Sequence, residues 1–263
     1  MNTLPNSFSH THQLIAGDTD AQGLMPVTLI ARRAIEIATL HANALGIGYA
    51  SLNSINLGWV LARIAIEVYR YPTINETYTI TTWIEGYNRH YSDRCYELTD
   101  ADGQVFAAIR SVWVAIDIDQ RKMADLTALP GENFPLGERE CSVAKCRPPM
   151  IAPDAEVKTA YHTFRYSEID FNRHVNTLRY LEIALNRHDV DFYDNWRPSR
   201  IEASFERECL FGETAELTTG PAARNPEAEV TVISTGGRRA AAVELVLKPL
   251  EKITNFNIQL WQN

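Results

Sequence analysis

One stretch of this chain occurs twice, and the repeat limits the possible folds more than any other feature. With Asp20 set under Asp170, HQLIAGDTDAQGLMP (His12 to Pro26) lies under HTFRYSEIDFNRHVN (His162 to Asn176). His12 then meets His162, Asp18 meets Glu168, Asp20 meets Asp170 and Gln22 meets Asn172, while Leu24 falls on His174. Two later matches keep the order. NETYTITTW (Asn75 to Trp83) resembles GETAELTTG (Gly212 to Gly220), and DGQVFAAIRSVWVAI resembles GGRRAAAVELVLKPL. The spacing between matching residues shortens along the chain, as longer insertions in the first copy would cause. Three matches in one order mark two structural units of one kind.

Each copy reads as a strand, a polar turn, a long helix and then several strands. The helices are PVTLIARRAIEIATLHANAL and VNTLRYLEIALNRHDVDFY, both with apolar residues at about 3.6 spacing. LARIAIEVYRY, TYTITTWIEGY, DRCYELTD and VFAAIRSVWVAID are rich in β-branched and aromatic residues and read as strands. Asp102-Gly103 and Gly236-Gly237 read as hairpin turns of the primed kind. One helix per unit followed by strands predicts an α+β fold, an antiparallel sheet wrapped around that helix. The first helix is apolar on more than one face, which suits enclosure by sheet. Prolines 130, 135, 148, 149 and 153 punctuate the ground between the copies. The expected division is a unit at 1–128, an extended linker at 129–157 with the boundary near 150, and a unit at 158–263.

Hydrophobic residues make up 45% of the 263, enough for a normal core in each unit. The net charge of −8 makes nucleic acid a poor partner, since phosphate binding needs a basic footprint. The N-terminus lacks a basic run followed by an apolar one, and no stretch of about 18 apolar residues occurs, so neither a signal peptide nor a membrane span is expected. Cys95, Cys141, Cys146 and Cys209 are scattered. They read as reduced thiols rather than a zinc site, and no metal or cofactor is expected. A cytoplasmic location follows as the expectation.

LGWVLARIAIEVYRYPTINETYTITTWIEG, DFNRHVNTLRY and FEREC resemble the acyl-acyl-carrier-protein thioesterases, a family with plant and bacterial members. The resemblance runs from about Phe8 to Pro249, and Asp-x-Asn-x-His-Val-Asn is its most specific part. It implies a tandem hotdog fold, in accord with the repeat. It also implies hydrolysis of the thioester between a fatty acyl chain and the phosphopantetheine arm of acyl carrier protein. Plant members carry a transit peptide and a hydrophobic anchor, which this sequence does not show, so a bacterial member is expected.

Carried over residue by residue, the family's catalytic set falls on Asp170, Asn172, His174 and Glu208. Glu208 would act as base toward water, His174 and Asn172 would hold the water and the carbonyl, and Asp170 would orient its neighbours. Read as an extended segment, Asp170, Asn172 and His174 alternate and point one way. A helix beginning near His174 would offer its free amides to an oxyanion. No Gly-x-Ser-x-Gly elbow and no His-Glu-x-x-His occurs. Cys209 is the alternative nucleophile, although a buried strand cysteine is more often core. Each residue also has a plain reading: Asp170 a turn residue, Asn176 a helix cap, Glu208 a solvated strand residue sharing a face with Glu202, Ser204 and Glu206. The first copy has Leu24 where His174 stands and Tyr71 where Glu208 stands, so one site is expected. That copy would instead supply the acyl channel, with Trp59, Val60, Ile64 and Ile66 as candidate lining. Coenzyme A thioesters are an alternative substrate. A hotdog 3-hydroxyacyl-thioester dehydratase or a non-catalytic acyl-binding module are alternatives of other classes. Acyl carrier protein is the expected partner, and a homodimer is compatible with a tandem.

Overall fold

The computed structural model describes residues 4–129 and 134–250. The first repeat runs β1 (Ser7–Gln13), α1 (Val27–Ala44), α2 (Tyr49–Asn53), β2 (Leu57–Val68), β3 (Thr77–Tyr87), β4 (Ser92–Asp100), β5 (Val105–Asp117) and the short β6 (Lys122–Met123). The second runs β7 (Lys158–Thr163), α3 (Thr177–Leu185), α4 (Val190–Tyr193), β8 (Trp196–Phe205), β9 (Thr214–Pro221), β10 (Ala228–Thr235) and β11 (Arg238–Pro249). All pairings are antiparallel in one sheet, ordered β1-β3-β4-β5-β2-β8-β11-β10-β9-β7, with β6 beside β5. From its centre outward the sheet has the same order in both directions. β2 and β8 meet there, from Arg63 opposite Ser204 to Glu67 opposite Arg200. Each repeat thereby closes the other's open edge. The fold is the tandem hotdog that the resemblance implied, in accord with the repeat.

Backbone bonds superimpose the copies. The Leu14 amide donates to Glu76 O at 2.9 Å, and the Phe164 amide to Glu213 O at 3.0 Å. Met25 donates to Pro72 O as Val175 donates to Cys209 O. Tyr69 donates to Phe106 O as Glu206 donates to Ala240 O. Pro72 therefore stands where Cys209 stands, and Tyr71 where Glu208 stands.

The inner sheet face wraps the helices. Val27, Ile30, Ala31, Ala34, Ile37, Ala38 and His41 of α1 are all buried, which takes more than one face of the helix. One core runs across both repeats, joining α1 and strands of the first to Leu181 and Ala184 of α3 and Ile201 and Ala203 of β8. The outer face alternates with it. Ala65 and Ala108 pack there against Val143 and Cys146 of the extended segment that follows the first repeat. The Trp83 indole donates to Arg139 O at 2.9 Å, and a Cβ on Gly137 would lie 2.3 Å from that indole. Glycine is what lets the segment lie so close. No described helix is long and apolar enough to cross a membrane.

Two local expectations change. The long helix expected for the second copy breaks after Leu185, and Asp189 accepts from the Phe192 amide to start α4. The Asp189 side chain satisfies an amide of the new first turn, which the break leaves without an intrahelical partner. Gly236-Gly237 is a primed turn with both φ positive, but at Asp102-Gly103 only the glycine is left-handed. There the Asp100 carboxylate accepts from the amides of Asp102 and Gln104 and makes a longer turn.

Candidate active site

Asp170, Asn172 and His174 lie on a tight turn, not on an extended segment. The Asp170 amide donates to His174 O at 2.8 Å. Its carboxylate Oδ1 accepts from the amides of Asn172 at 2.8 Å and His174 at 3.3 Å. Arg173 takes a φ of 67° to complete the turn. A carboxylate that can accept several amides at once is what favours a turn over a strand here. Asp170 thus shapes the backbone that presents Asn172 and His174.

The helix starts later than expected. Asn176 is the cap of α3, its side chain accepting from the Leu178 amide at 3.0 Å. The amides of Val175, Asn176, Leu178 and Arg179 all have acceptors. Of the donors near the turn, the Asn172 side chain makes no hydrogen bond to any described residue.

FEREC leaves β8 at Phe205, so Glu208 is in an irregular loop and does not share a strand face with Glu202, Ser204 and Glu206. A bridge between His174 and Leu210 holds this loop against the turn. Glu208 Oε2 is 3.2 Å from His174 Nε2. Both Glu208 oxygens also accept from Arg121 Nη1 at 2.8 Å. Arg121 follows β5 of the other repeat in a left-handed conformation, and its local sequence, a basic pair with Lys122, reads only as surface charge. Cys209 points the other way. It is fully buried in the second repeat's core with Phe164, Tyr180 and Ile233, which suits a packing role.

An apolar cavity of about 550 Å³ opens at this turn. Asn172 and Phe171 are at one end, and Phe171 meets Tyr49 edge-on at 5.4 Å. The rest comes from the first repeat and Phe134 of the segment after it: Ile35, Ala38 and Ala42 of α1, Leu52, Trp59, Ile84 and Trp113 among others. Trp59 lines it. Ile64 and Ile66 lie in the core with α1, and Val60, on the same strand, is half-buried; none of these three is part of the wall. Ile64 and Ile66 share the inner face with Trp59 but lie farther along β2 in the packed core, and residues of α1 and β5 line the cavity in their place.

The equivalent place in the first repeat is closed. Asp20 makes the same turn, accepting from the amides of Gln22 and Leu24. Gln22, however, donates to Asp194 at 2.8 Å and accepts from Arg197 at 2.9 Å. Tyr71 donates to Pro198 O at 2.6 Å, and burial pushes its phenol pKa up. Gln22 and Tyr71 are thus both engaged within the protein. The second repeat's turn faces Gly58 and Trp59 instead, which leaves Asn172 open.

Elsewhere, ligand atoms of Glu85, Cys95 and Cys141 lie within 4.8 Å of one another on the outer sheet face. Arg110 donates to Glu85 at 2.7 Å, so that cluster already holds a cation and suits a metal poorly.

Residues 5–128 match the acyl-ACP thioesterase N-terminal domain and residues 151–245 the C-terminal domain of the same family. An oleoyl-acyl carrier protein thioesterase of Coriandrum sativum is 26% identical over 83% of this chain. A palmitoyl-acyl carrier protein thioesterase of Gossypium hirsutum is 25% identical over 86%. The chain spans 63% and 57% of the length of these two chloroplastic relatives. The crystal structure of an acyl-ACP thioesterase from Bacteroides thetaiotaomicron has a TM-score of 0.83 and 26% identity, covering 92% of this chain and 98% of that one. A 12:0-ACP thioesterase from Umbellularia californica shares the fold at a TM-score of 0.78 and 17% identity, with 95% and 100% covered. With both of its domains matched in order along most of its length, this chain belongs to the acyl-ACP thioesterase family.

Proposed function

We propose that the protein hydrolyses the thioester of a fatty acyl chain carried on acyl carrier protein. The observation that carries this reading is an apolar cavity, built mainly by the other repeat, that opens at Asn172 on the same turn that sets His174 beside Glu208. The acyl chain enters the cavity past Phe171 and Tyr49. The carbonyl stops at the turn, where the Asn172 side-chain amide donates to its oxygen as negative charge develops there. Glu208 takes a proton from water as the water oxygen bonds to the carbonyl carbon. The carbon–sulfur bond then breaks. The proton passes through His174 Nε2 to the departing sulfur, leaving a free fatty acid and the carrier's thiol. Arg121 holds Glu208 in place, and Asp170 holds the turn. The second repeat does the chemistry, and the first serves as the acyl-chain holder.

The carrier reading rests on the family and on charge. Arg121 and Arg173 are exposed beside the turn and suit an acidic carrier surface. The test is free-thiol release from a panel of acyl-carrier-protein and coenzyme A thioesters, with wild type beside His174→Ala. We expect turnover by wild type and a fall of about 10²–10⁴-fold in the variant. Faster turnover of coenzyme A thioesters would overturn the carrier assignment. No turnover on any thioester would overturn hydrolysis itself.

A further inference from the structure

We propose that the cavity accepts acyl chains bearing an oxygen function far from the thioester, held by Arg94 and Ser92. The inference rests on the thioesterase reading of the same site and adds its substrate class.

Arg94 and Ser92 are on β4 and line the cavity, and both are more than nine-tenths buried. Other polar groups of the wall are already used. The Trp59 indole donates to Ile47 O, the Trp113 indole to Ser111 and the Thr39 hydroxyl to Ile35 O. Tyr49 is exposed at the mouth, and Asn172 belongs to the reacting end. Arg94 differs. Its Nη1 donates to His41 Nδ1 at 2.9 Å and to Thr82 Oγ1 at 3.3 Å. Its Nε and Nη2 make no hydrogen bond to any described residue, and neither is sealed within the packed core. The Ser92 hydroxyl likewise has no described partner.

The charge is also uncompensated. No described carboxylate reaches Arg94. Its neighbour His41 is fully buried and donates its other ring nitrogen to Pro5 O, so it is neutral. A buried guanidinium with free donors is costly unless an acceptor meets it. A methyl end placed there would leave that cost in full. A hydroxyl or carboxylate oxygen would accept from Arg94 and Ser92 together.

The register sets where on the chain that oxygen must be. Arg94 is opposite Ser111 on β5, and Gly58 at the mouth is opposite Ile116. Five residues along β5 and two strand spacings separate the backbones by ~20 Å. An oxygen at carbon 3 would stay beside Asn172. The oxygen that reaches Arg94 is at or near the distal end.

The test uses the full-length protein and acyl-carrier-protein thioesters of matched length, C8 to C16, in plain, ω-hydroxy and ω-carboxy forms. Thiol release gives kcat/KM for each. At the length that reaches Arg94, an oxygenated form should exceed the plain one by tenfold or more. Arg94→Met should reverse that order, and Ser92→Ala should narrow it. If Arg94→Met does not fold, the wild-type ratio and Ser92→Ala decide. A plain chain hydrolysed as well as or better than its oxygenated partners at every length overturns the proposal and leaves the thioesterase reading standing. Absence of turnover on all three forms overturns that reading, and the proposal with it.

Discussion

Glu208 sits between two nitrogen groups of different origin. His174 Nε2 comes from its own repeat, and Arg121 Nη1 from the other. Glu208→Gln keeps the shape and removes the base. We expect kcat to fall about 10²–10⁴-fold while KM changes little, read by steady-state thiol release. A variant with the wild-type rate removes Glu208 from the mechanism. Cys209→Ala is the matching control. It should keep its rate and lose about 1 kcal/mol in a denaturant titration, because the thiol fills core beside Phe164 and Tyr180. The run Asp170, Asn172, His174 and the nearby Glu208 were legible in sequence because they fall in two short, distinctive segments. Arg121 was not. It lies 87 residues from Glu208 and carries no motif, and only the pairing of the repeats brings it there.

At the scale of elements, the two turns permit a paired test. Asp170 and Asp20 each accept from two amides and hold the same backbone shape. Replacing either by Ala strands two amides and should cost about 1–3 kcal/mol. Asp170→Ala should also lose most of its turnover, since Asn172 and His174 lose their placement. Asp20→Ala should lose stability alone. Equal rates for the two variants would separate Asp170 from catalysis. Strand limits were readable: the expected TYTITTWIEGY and VFAAIRSVWVAID coincide with β3 and β5. Period-2 patterning and bounding turns carry that information locally. The extended reading of 170–174 and the unbroken helix past Leu185 failed for a shared reason. Each depends on a carboxylate accepting backbone amides, and alternation or helical spacing does not report such a bond.

At the scale of the molecule, one inner core joins both repeats, and α1, which it encloses, carries the fully buried His41. Burial, with help from the Arg94 charge, pushes its pKa down to about 4, against an opposing bond to Pro5 O. The unfolded chain binds that proton first, at its ordinary value of about 6.5. The His41 share of stability is therefore complete above about pH 6.5 and is lost as pH falls toward 4. Melting curves of wild type and His41→Gln across this window should converge at high pH. The wild type should fall further at low pH, by about 1–3 kcal/mol. Parallel curves would show that His41 titrates alike in the folded and unfolded chain.

The sequence by itself determined the two-unit architecture and the strand-rich pattern around one helix per unit. Those follow from periodicity, turn chemistry and repetition, which are properties of neighbouring residues, while the resemblance to a known family singled out the two segments of the candidate site. The tertiary structure decided which turn stays open. Asp20 and Asp170 build equal turns, yet Gln22 meets Asp194 and Arg197 while Asn172 meets Gly58, Trp59 and a cavity. That difference belongs to the opposite repeat in each case, brought there by the β2–β8 pairing. It is a long-range contact, and no local pattern encodes it.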